Sequence, residues 1–135
     1  MADKPMNIFD ISGRAMTAQL VRLNATASNM ANAGTVSGSA ATAYRAIRPI
    51  FQPVTDKPGV STVNVQKIVS SDTPAVKRHD PGHPLADANG DVWEAGVDSS
   101  SELVDMVEAS RMYQNNVQVL NTAKSLLLDT LRLGK

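Results

Sequence analysis

Residues 98–133 read DSSSELVDMVEASRMYQNNVQVLNTAKSLLLDTLRL, with no proline or glycine anywhere in the run. Apolar side chains recur at alternating steps of three and four: Leu103, Met106, Ser110, Tyr113, Val117, Leu120, Lys124, Leu127, Leu131. Seven of those nine positions are apolar, which predicts one long helix with a coiled-coil period. At ~1.5 Å per residue it is about 50 Å long. Ser99 and Glu102 have the S-x-x-E spacing of a capping box. Arg132 suits the negative helix end and Gly134 follows as a terminator.

The other end of the chain mirrors this. Residues 7–33 carry the series Phe9, Gly13, Met16, Leu20, Leu23, Ala27, Met30. A second stripe, Ile8, Ile11, Ala15 and Ala18, widens the apolar face. Asn7 can cap the start, and Asp10 sits favourably at the positive end. Gly34 is the expected stop, taken as a left-handed glycine.

Between the helices lie six of the seven prolines. Residues 44–51 and 62–69 are β-prone, and Val92-Trp93 predicts a third short strand after the turn signal Asp87-Ala-Asn-Gly-Asp91. Pro49 assigns its strand to an edge. Residues 35–43 are mostly Ala, Ser, Thr and Gly and read as a mobile loop. The expected fold is mainly α: N- and C-terminal helices paired as a coiled-coil-like hairpin, with a small β-rich insertion as its head. The expected divisions are 1–33, 34–97 and 98–135. One seam-to-seam contact leaves the second stripe, Val104, Val107, Val119 and Leu126 uncovered, so the sequence predicts association with further helices.

Composition narrows the function classes. Formal net charge is +0, so no basic surplus marks a nucleic-acid or anionic-membrane ligand. There is no cysteine, which excludes disulfides, thiol nucleophiles and Cys-ligated metals. The start, Met1-Ala-Asp-Lys-Pro5, has no apolar core or cleavage pattern, so export by a cleaved signal is not expected. No run approaches the ~20 apolar residues of a membrane span.

Catalytic readings are weak. His79, Asp80 and His83 lie in a Pro- and Gly-rich segment, and no third His exists to complete a zinc set. They read as a surface turn. Residues 87–91 lack the glycine and glutamate positions of a calcium loop and read as a tight turn. Asparagine inside helices is the unusual polar feature: Asn24, Asn29, Asn32, Asn115, Asn116 and Asn121. Two readings stand, tolerance on a wet face or hydrogen bonding across packed helices that fixes register.

Leu23-Asn-Ala-Thr-Ala-Ser-Asn-Met-Ala-Asn-Ala-Gly-Thr35 resembles the N-terminal signature of flagellar rod, hook and hook-associated proteins. Asp80-Pro-Gly-His-Pro-Leu-Ala-Asp-Ala-Asn-Gly-Asp-Val92 and the segment from Ser110 to Gly134 resemble the short basal-body rod branch of that axial family. Ala95-Gly96 stand where that branch usually carries Pro-Asn, which leaves the entry angle of the last helix open. The resemblance implies a non-enzymatic structural subunit of the proximal rod in the bacterial flagellum, without cofactor, metal, nucleic acid or small-molecule substrate. It implies synthesis in the cytoplasm, passage through the flagellar type III export apparatus without a cleaved signal, and a final place in the periplasmic rod. Implied partners are other copies of itself, other rod proteins, and basal-body ring and export-gate components. Within that reading, Leu20, Leu23, Met30, Tyr113, Val117, Leu120 and Leu127 are the expected packing residues. Asn29, Asn32, Gln114 and Asn121 are the expected register residues. The rival reading is a secreted helical adaptor or export-associated interaction protein. A small hydrolase using His79 and His83, and membrane-surface binding by the first helix through Arg14 and Arg22, are weaker alternatives.

Overall fold

The computed structural model describes residues 7–134. Residues 1–6, on which the expectation about a cleaved signal rests, and Lys135 lie outside the described residues. Helix α1 spans Ile8–Asn32 and helix α2 spans Ser99–Leu133. Between them run β1 (Val36–Ser37), β2 (Ile47–Lys57), β3 (Val60–Ser70), β4 (Val76–His79) and β5 (Asp91–Glu94).

Helix α1 begins where a capping box forces it to. The Asn7 side chain accepts from the backbone N–H of Phe9 (2.9 Å) and Asp10 (3.0 Å), while Asp10 accepts from the Asn7 N–H (3.1 Å). Its end differs from the expectation. Ala33 is a right-handed C-cap, and Gly34 does not adopt positive φ. The start of α2 also differs. Asp98, not Ser99, is the N-cap: it accepts from the Ser100 N–H (3.0 Å) and the Ser101 hydroxyl (2.7 Å). That frees Glu102 from capping duty and turns it inward.

The strands form two sheets. β2 and β3 make an antiparallel hairpin, closed by Gly59 at φ +85 and bent by register shifts at Ile50/Phe51 and Thr55/Lys57. β1, β5 and β4 form a second antiparallel sheet in that order. Its turn is the Asp87–Asp91 segment. The Asp87 carboxylate accepts from the N–H of Asn89 (2.8 Å) and Asp91 (2.9 Å). Gly90 takes φ +77 there, and an added Cβ would lie 2.9 Å from Cβ of Pro81.

The expected mainly α class is therefore corrected. Helices hold 47% of the described residues and strands 25%, in two sheets. The hairpin is not a head. It lies back along α1, with Ile47 bonded to Asn29 near one end and Thr62 buried 3.5 Å from the Ile11 carbonyl near the other. Helix α1 is thus packed by α2 on one side and by the hairpin on another. Among its buried residues, Ala18, Ala25 and Asn29 share one row at heptad spacing, while Ser12 and Thr26 lie off that row. β2 extends beyond the β-prone run at 44–51, through Pro53 to Lys57. A two-stranded sheet has only edge strands, where proline loses no ladder bond that the sheet needs. No helix among the described residues is long and apolar enough to cross a membrane.

Candidate assembly interface

Helices α1 and α2 run antiparallel. Arg22 meets Asp105 (3.2 Å) and Glu108 (3.0 Å), and Asn29, two turns further on, meets Glu102 (3.0 Å). On α2 the inward positions are Glu102, Met106, Ala109, Tyr113, Asn116, Leu120 and Ala123, a spacing of four and three. This seam differs in phase from the expected series at several places. Ala109 is fully buried in place of Ser110, and Leu103, expected in the seam, is exposed. The same small-residue rule holds throughout. Buried apolar residues are Ala18, Ala25, Ala43, Ala46, Val92, Ala95 and Ala109. Small side chains let the elements approach closely but remove little apolar area from water.

The large apolar residues lie elsewhere. Of the ten leucines, eight are exposed, and Leu23 and Leu120 are half-buried. Leu103, Val104, Val107 and Met112 line an apolar strip on the face of α2 turned away from α1. Residues 124–134 are all exposed, because α2 is ten residues longer than α1 and runs past its start. Leu126, Leu127, Leu128, Leu131 and Leu133 point to several sides of that overhang, and Leu133 is 88% exposed. Five of the ten residues 124–133 are exposed leucines, and contiguous exposed apolar surface of that kind marks an interaction site. The chain's accessible surface is 8977 Å². A compact monomer of this mass exposes about 6,800 Å². The surplus, on the order of 2,000 Å², is that of an elongated subunit with more surface than a compact one.

A buried polar hub contrasts with this surface. The Asn29 amide donates to the Ile47 carbonyl (3.0 Å) and to Glu102 (3.0 Å), and its oxygen accepts from the Ile47 N–H (2.8 Å) and the Tyr44 hydroxyl (3.0 Å). Asn29 is fully buried with every hydrogen-bonding position used. Glu102, 1% exposed, also takes a guanidinium nitrogen of Arg48, whose other nitrogen reaches Asp105 (2.8 Å). Two helices and the hairpin therefore meet at one satisfied cluster.

The expected residues are distributed across these regions. Leu23, Met30, Tyr113, Val117 and Leu120 are half-buried, while Leu20 and Leu127 are exposed. Asn29 lies in the hub. The Asn32 amide donates to the Ser28 carbonyl of its own helix (2.8 Å), and Gln114 and Asn121 face solvent. Arg48, Tyr44, Asp105 and the inward Glu102 were not read from sequence. Their partners lie 15 to 73 positions away in the chain, beyond any spacing rule. The one local signal was Glu102 falling in step with Met106, Ala109 and Tyr113.

The histidine segment is occupied structurally. His79 Nδ1 lies 2.9 Å from Asp91, and His83 Nδ1 accepts from the Leu85 N–H (3.1 Å). Asp91 also pairs with Lys77. Those hydrogen bonds, Lys77 first and His79 second, hold the Asp91 carboxyl below the usual carboxylate range. Among the described residues no group of three or more His, Cys, Asp or Glu is placed to hold a metal ion.

Long terminal helices with exposed leucines, two small sheets and a small-residue core define a helical subunit with apolar surface open to neighbours. Residues 9–38 match the family described as Flagella basal body rod protein, and residues 88–133 match the Flagellar basal body rod FlgEFG protein C-terminal family. The chain is 51% identical over 132 residues to the flagellar basal-body rod protein FlgC of Yersinia enterocolitica and 49% identical over 132 residues to that of Escherichia coli O6:H1. It is 37% identical over 134 residues to FlgC of Buchnera aphidicola subsp. Schizaphis graminum. Each comparison covers 96% of this chain and 98% of the relative. The chain belongs to the FlgC family, and is a structural subunit of the rod of the bacterial flagellar basal body.

Proposed function

We propose that this chain is laid into the proximal rod as a non-catalytic building block. Its α1–α2 layer faces the inside of a tube, and its strands pack outward against neighbours. The observation that carries the reading is the run of exposed leucines on the α2 overhang. Contacts between unlike faces propagate helically because their rotation does not close. The partners in this reading are other copies, other rod proteins, and ring and export-gate components. Torque passes through packed interfaces, with no reaction step. Leu20, Leu23, Met30, Tyr113, Val117, Leu120 and Leu127 supply packing, and Asn29, Asn32, Gln114 and Asn121 supply register.

Delivery through the flagellar type III apparatus without a cleaved signal fits a chain whose own core is small and whose ordering is completed by neighbours. Replacing both Leu127 and Leu131 by aspartate tests the reading, because both side chains are exposed in the single subunit. The expected result is loss of swimming and of rod assembly with the subunit still made, exported and folded. Normal swimming would overturn it. Intact flagella after deletion of the gene would favour the export-associated adaptor instead.

A further inference from the structure

Glu102 is the most deeply buried charged side chain among the described residues. It sits where α2 closes on α1, yet α1 offers it only the neutral amide of Asn29. Among the described residues the one cation paired with it is Arg48, on the hairpin. Arg22, on α1, is held by Asp105 and Glu108. Asp105 adds negative charge beside Arg48, and Tyr44 serves the Asn29 oxygen and leaves Glu102 uncompensated by α1. Closing the two helices without the hairpin therefore buries a carboxylate with no counterion, which is far less favourable than exposing it.

We infer that the β2–β3 hairpin is a charge latch: α1 and α2 close at their Asn29–Glu102 end only when Arg48 is docked there. Asn29 is the part that positions the latch. Its side chain holds the N–H and C=O of Ile47, the residue next to Arg48, so the seating of β2 on α1 fixes where the guanidinium stands. In chain order α1 and the hairpin precede α2, so the platform that receives Glu102 is assembled from segments already present when α2 arrives. The latch goes beyond the rod reading and is independent of it, since it concerns the single subunit.

The test uses the purified full chain with Arg48→Met, Glu102→Gln and both together. Helix content by circular dichroism and urea midpoints are measured at pH 7. Arg48→Met is expected to lower the folded-to-unfolded ratio about ten- to hundredfold at pH 7, the lower part of the range reflecting the 42% exposure of Arg48. Adding Glu102→Gln is expected to restore about tenfold, because the amide keeps the bond from Asn29 without the charge. If Arg48→Met is unfolded, recovery of helicity in the double variant supports the latch. Full helicity and stability in Arg48→Met, or losses that simply add in the double variant, overturn it.

Discussion

The two ends of α2 are solved by opposite means. At its start, Glu102 and Asp105 are neutralised by Arg48 and Arg22, Asn29 is saturated, and every partner comes from the same chain. At its far end, Leu126, Leu127, Leu128, Leu131 and Leu133 are exposed on a stretch of helix that runs past the described start of α1. Polar groups are costly to bury without directional partners, so they are settled where geometry is fixed, inside the subunit. Apolar area is non-directional and can be left for any surface of the right shape. One end of the helix specifies the subunit, and the other is available to an assembly.

The comparison can be broken most sharply by charge at the open end. Leu127→Asp with Leu131→Asp is expected to abolish motility while shifting the subunit's urea stability by less than about 0.5 kcal/mol, as for exposed sites generally. A large stability loss would mean the overhang is already packed at home. Next comes the closed seam. Ala109→Leu inserts bulk at a fully buried position and should lower stability by about 1–3 kcal/mol in urea titration. A neutral result would mean that α1 and α2 are not held close by small residues. Asn7→Ala removes the α1 capping box and should lower stability by about 1 kcal/mol, measured by thermal unfolding.

The smallest effect concerns the cap of α2. The Ser101 hydroxyl, and then the Ser100 N–H, hold the Asp98 carboxyl below the usual carboxylate range. Its folded value is depressed, so its contribution is present above the unfolded value near pH 4 and is lost as pH falls through the lower folded one. Acidification should therefore lower the amide protection factors, taken relative to intrinsic exchange at each pH, in the first turn of α2 and leave those of the overhang unchanged.

Much of the architecture was legible from residue order. Both helices fall within a residue or two of their expected bounds because their periodicity is long and uninterrupted by proline. The β-prone runs at 44–51 and 62–69 lie largely within the hairpin, and Asp87–Asp91 is the expected turn. The phase of the helix contact was not legible. Pattern reading sends the largest apolar side chains inward, whereas here Ala18, Ala25 and Ala109 are inside and Leu20 and Leu103 outside. A residue meant for a neighbour and a residue meant for the core have the same chemistry, so one chain's periodicity cannot separate them. The hub was illegible for another reason. Arg48 lies 54 positions from Glu102, and its strand sequence reads simply as β-prone. Glu102 itself satisfied a capping pattern at Ser99 that the chain does not use, since Asp98 starts the helix one residue earlier.

Hydrogen exchange, compared between the dilute free subunit and the same subunit in assembled basal bodies, bears most directly on this division of labour. Fast exchange across residues 121–133 in the free chain, slow exchange around Asn29 and Glu102, and strong protection of both in the assembly is the expected pattern. Equal protection of residues 121–133 in the solitary subunit would show that its leucines are already satisfied, and would contradict the account.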